Sequence, residues 1–87
     1  MAHWTIEVTN HNYGTRDTVE DYPIQLATEQ EALSCLDGME DDRRCGAALE
    51  GPWIAVERVN AHTVHIHITE HAGLEACPLR TLRVVAR

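Results

Sequence analysis

The sequence contains no lysine and no phenylalanine, and its aromatic side chains are two tryptophans and two tyrosines. All seven basic residues are arginines, scattered along the chain. Direct nucleic-acid binding needs a basic stripe with rings that stack on bases, so that function class is not expected. No run approaches the ~18 apolar residues of a membrane span. The start, Met1 to Ile6, has neither a basic nor an apolar leader region, so no signal peptide is expected. Cysteines number only three, Cys35, Cys45 and Cys77. An odd count without a secretory signal points to reduced thiols and a cytoplasmic protein, although the spacing also permits a Cys45–Cys77 bridge.

Enzyme signatures are missing as well. There is no glycine-rich phosphate loop, no Gly-x-Ser-x-Gly elbow and no Cys-x-x-Cys pair. Cys45 lies beside Arg43 and Arg44, a setting that suits a reactive thiol, yet a lone loop cysteine is usually an ordinary thiol. A domain this small also struggles to enclose a substrate pocket. A non-enzymatic role is therefore expected.

What is abundant is negative charge. Fourteen acids against seven arginines give a formal net charge of −7. Residues 1–50 carry eleven of the acids and three of the arginines, whereas residues 51–87 carry three acids and four arginines. Such a field repels phosphate backbones and anionic lipid and attracts basic protein surfaces, beyond its ordinary role in solubility. The chain, 87 residues with 44% apolar content, suits one folded domain, residues 1–87, with a thin core.

Trp4, Ile6 and Val8 alternate with Thr5, Glu7 and Thr9, the period of a half-buried strand. Asn10 to Gly14 reads as a turn. Thr18 to Leu26 reads as extended, with Tyr22, Ile24 and Leu26 on one face, and Pro23 restricts it to an edge or irregular strand. A helix of about ten residues is expected from Thr28, where Thr28 and Glu31 form a capping box. Its buried stripe is Ala32, Leu33 and Leu36, extended by Met39, and Gly38 suits a left-handed C-terminal cap. A second short helix from Asp37 through Arg44 is the alternative. Gly46 to Pro52 reads as loop.

Trp53 to Arg58 and Thr63 to Glu70 form the clearest hairpin. A three-residue connection, Asn60 to His62, would pair Val59 with Thr63, Glu57 with His65, Val56 with Ile66 and Ile54 with Ile68. That register gathers Ile54, Val56, Val64, Ile66 and Ile68 on one face. His71 to Leu79 reads as loop and Thr81 to Ala86 as a last strand. The fold class is thus α+β: a four- to five-stranded, mainly antiparallel sheet with one helix on one face, in the order β-β-α-β-β-β. The open face would carry Thr5, Glu7, Glu57, His65, His67, Thr69 and Arg83.

Four of the six histidines, His62, His65, His67 and His71, fall within ten residues. On a strand, His65 and His67 project from one face about 6.5–7 Å apart. Glu57 opposite His65 would complete a two-histidine, one-carboxylate set of the kind that holds zinc or non-haem iron. Alternating histidines on an exposed strand are equally an ordinary solvated face. Cys35, Cys45, His71 and Cys77 give a less regular zinc set. The histidines would also make partner binding pH-sensitive.

The leading expectation is a small acidic protein-binding module without a cofactor, docking on a basic surface of another protein, in part by imitating nucleic acid. Glu20, Asp21, Glu40, Asp41 and Asp42 would supply the attraction, with Trp53 or Tyr13 as apolar anchor. The alternative is a metal- or small-ligand-binding domain, with zinc on His65, His67 and Glu57. A homodimer through an edge strand is a third possibility. Size, acidity and layout resemble small immunity proteins, phage-encoded inhibitors and antitoxins as a type, with no motif whose residues transfer. The lysine-free composition suggests a high-GC bacterial or phage genome.

Overall fold

In a computed structural model of the chain, residues 2–11, 16–50, 54–68 and 78–87 are described, with the backbone alone for 47–50, 54, 68 and 78. The alternation at the start becomes β1 (Trp4–Asn10), followed by β2 (Thr18–Asp21), α1 (Glu29–Glu50), β3 (Ile54–Asn60), β4 (Thr63–Ile68) and β5 (Pro78–Ala86). The five strands form one sheet in the order β2-β1-β5-β4-β3. Every neighbouring pair is antiparallel. β5, latest in sequence, lies at the centre.

α1 packs on one face against β1, β3 and β5. Between helix and sheet lies the core of Ile6, Val8, Ala32, Leu36, Val64, Ile66, Leu82 and Val84. Trp4, Leu26, Leu33, Cys35, Met39 and Val56 surround it, partly buried. The expected α+β architecture is the one observed.

The helix is longer than its apolar pattern indicates. Thr28 caps it as expected: the Glu31 amide donates to Thr28 Oγ1 at 3.1 Å, and the Thr28 hydroxyl donates to Glu31 Oε1 at 3.3 Å. The expected stop at Gly38, the separate second helix and the loop from Gly46 are all replaced by continuous helix to Glu50. Gly38 has open space where a Cβ would stand. The buried stripe does end near Met39, since residues 41–45 are exposed. Ion pairs brace the turn at this point: Arg44 bonds Glu40 four residues earlier at 2.9 Å, and Arg58 of β3 reaches both Asp37 and Glu40 at 2.8 Å.

Two further expectations change. β2 is only four residues long, and the chain bends at Pro23 before Leu26 rejoins the sheet by a bridge to Trp4. The bend breaks the alternation, so Leu26 packs on the core while Tyr22 stays 45% exposed. The bend also covers Thr5, which is fully buried rather than on the open face, and whose hydroxyl contacts the carbonyls of Ile24 (2.7 Å) and Tyr22 (3.2 Å). In the hairpin, Glu57↔His65, Val56↔Ile66 and Ile54↔Ile68 pair as expected, but Asn60, not Val59, faces Thr63. A bulge at Val59 takes up one residue and allows a two-residue turn, Ala61-His62, without mixing the faces. No helix among the described residues is long and apolar enough to cross a membrane.

Candidate metal centre

The face of the sheet away from α1 is read from the strand register. One row across it runs Glu57 (β3), His65 (β4), Thr81 (β5), Thr9 (β1) and Val19 (β2). His67 lies two residues from His65 on the same face of β4, a spacing imposed by the pleat. One ligand atom from each of Glu57, His65 and His67 falls within 4.8 Å of the others. The two imidazole centroids are 5.7 Å apart and meet edge to face. Ligand atoms around tetrahedral zinc stand about 3.4 Å apart. Glu57 is exposed, whereas the histidines are half-buried.

His67 is the unusual member. Both of its ring nitrogens are shielded from solvent, and neither has a hydrogen-bond partner among the described residues. A buried polar atom without a partner is costly, and two on one ring call for an acceptor or an ion. Burial pushes the His65 pKa below its ordinary value, the neighbouring His67 adds to this, and Glu57 partly opposes it. The shift favours the neutral ring, the form in which a nitrogen lone pair can bind a metal.

The acidic residues expected to attract a partner are divided between two elements. Glu20 and Asp21 lie on edge strand β2, and Glu40, Asp41 and Asp42 on α1. Asp21 is held by Arg87 in two contacts of 2.8 and 3.0 Å. Its carboxyl lies below the usual range because of that hydrogen bond. Glu40 is bonded by Arg58 and Arg44. Glu20, Asp41 and Asp42 are exposed, with no ion pair among the described residues. Trp53 and Tyr13 lie outside the described residues, as do Thr69, His71 and Cys77. Cys35 and Cys45 are free thiols.

One grouping escapes sequence reading altogether. His11, just after β1, places Nδ1 2.9 Å from Asp17 Oδ2 and Nε2 2.8 Å from Thr81 Oγ1. His11 and Thr81 are seventy residues apart, so no spacing could reveal them; only the β1–β5 register brings them together.

No protein-family model, curated protein or solved structure matches this chain.

Proposed function

We propose that the domain binds a divalent transition-metal ion, of the zinc class, through Glu57, His65 and His67. The observation that carries this reading is the convergence of three ligand atoms on the open face, one from a histidine with both ring nitrogens shielded and unpartnered among the described residues. Nitrogen and carboxylate donors suit zinc, and three protein ligands leave a coordination position for water or a small ligand. Protein purified without a polyhistidine tag should take up one equivalent of zinc in calorimetric titration and melt at a higher temperature when loaded. His67→Ala should weaken binding by about 100-fold or more, since even residues that only support metal ligands account for 10–100-fold. A protein that arrives metal-free, and shows neither heat nor a melting shift with zinc, nickel or ferrous iron, would refute the reading.

A second reading is a cytoplasmic, non-enzymatic binding module of inhibitor or immunity type that docks on a basic partner. It is supported by Asp41 and Asp42, adjacent, exposed and without an ion pair among the described residues. Reversing both, by Asp41→Arg and Asp42→Arg, should slow association with a stoichiometric partner by about tenfold at low salt, because such charges act on encounter. Association at the unaltered rate would remove these residues from the interface.

A further inference from the structure

A different group on the same face stands in an order that metal binding does not require. His11 is fixed against β5 by its backbone, whose amide donates to the Leu79 carbonyl at 2.9 Å. Its ring then lies between a carboxylate and a hydroxyl, with Asp17 Oδ2 at 2.9 Å and Thr81 Oγ1 at 2.8 Å. An ionised carboxylate only accepts hydrogen bonds, so Nδ1 carries the proton in the neutral ring. Nε2 is left with its lone pair, and the Thr81 hydroxyl donates to it. A hydroxyl bonded to a base that is itself oriented by a third group is the arrangement of an activated nucleophile. Thr81 is half-buried and stands between Thr9 and His65 in the cross-sheet row, on the face not covered by α1.

We infer that Thr81 Oγ1 is a nucleophile toward activated carboxylic esters, with His11 as its general base and Asp17 as the positioning residue that sets the tautomer of His11. Thr81 Oγ1 bonds to the ester carbonyl carbon as its proton passes to His11 Nε2. The tetrahedral species collapses, the bond to the alcohol oxygen breaks, and that oxygen takes the proton from His11. Water then attacks the acyl-threonine and gives a proton to His11, which returns it to Thr81 as the acid departs. The sum is ester plus water to acid plus alcohol. No oxidant, reductant or metal enters, so the inference stands apart from the metal reading.

The probe is p-nitrophenyl acetate, mixed with the full chain in the presence of a chelator. A stoichiometric burst of p-nitrophenol is expected, with the acetyl group located on Thr81 by peptide mass spectrometry. Thr81→Val should abolish the burst, whereas Thr81→Ser should retain it. His11→Gln should slow it by about 100-fold, the usual scale of general-base assistance. Asp17→Asn should lower kcat while KM stays within about twofold, as expected for a group that orients the base. Circular dichroism and melting curves confirm that each variant is folded. Acetylation confined to histidine or the chain terminus, or a burst of equal size in folded Thr81→Val, would overturn the inference and leave zinc binding untouched.

Discussion

Leu36→Ala is expected to lower the free energy of unfolding by about 3 kcal/mol. Leu36 is fully buried and, among the described residues, is one of two from α1 in the core, the other being Ala32. Truncating it removes the transfer energy of the lost carbons and leaves a cavity between helix and sheet that the backbone closes only in part. A domain of this length has a total stability of about 5–10 kcal/mol, so the loss takes up a large share of it. Urea titration should show a lower midpoint with an unchanged slope. A loss under about 1 kcal/mol would mean that α1 is not seated on the sheet through this residue.

Arg58→Ala comes next, with an expected loss of about 2 kcal/mol. The guanidinium donates to the Asn60 and Ala61 carbonyls of the hairpin turn at 2.8 and 2.7 Å, and to Asp37 and Glu40 of α1 at 2.8 Å each. Asp37, two-thirds exposed, contributes little. Glu40 is only 16% exposed and Arg58 26%, so that contact is not an ordinary surface pair.

The pH dependence follows from the same contact. Glu40 is held below its ordinary carboxyl pKa, chiefly by the Arg58 hydrogen bond and then by Arg44, with burial opposing. A carboxyl depressed in the fold stabilises it above the unfolded pKa, and this contribution fades as pH falls through the folded value. The parent should therefore lose stability below about pH 4.5, and the variant less so. Urea titrations at about pH 3 and pH 7 should show the gap between them narrowing in acid. A gap of constant size would place the role of Arg58 entirely in its bonds to the turn.

The two results touch different kinds of information in the chain. Strands with one buried face announce themselves by alternation, so the β1 face, the β3–β4 pairing and the convergence of Glu57, His65 and His67 are legible in the sequence. Each depends on neighbours in sequence. The apolar stripe of the helix ends near Met39, so its period marks only the first half, and the turn that follows is braced by arginine–carboxylate contacts, including one from another element. Thr5 was placed on an open face because its cover, the Pro23 bend, has no periodic signature. The pairing of Asp21 with Arg87 and of Glu40 with Arg58 has no signature in the sequence, because it spans 66 and 18 residues. The His11–Thr81 contact was hidden for the same reason.

The position of β5 bears on how such a chain is made. A ribosome releases the β1–β2 ribbon, the helix and the β3–β4 hairpin before the strand that joins them. Until Pro78–Ala86 emerges, two unpaired strand borders, β1 and β4, face a gap and can recruit a neighbouring chain instead. A chain that stops short of Pro78 would hold two half-sheets rather than a slightly shortened domain, because the strand it lacks is the one that both halves pair with.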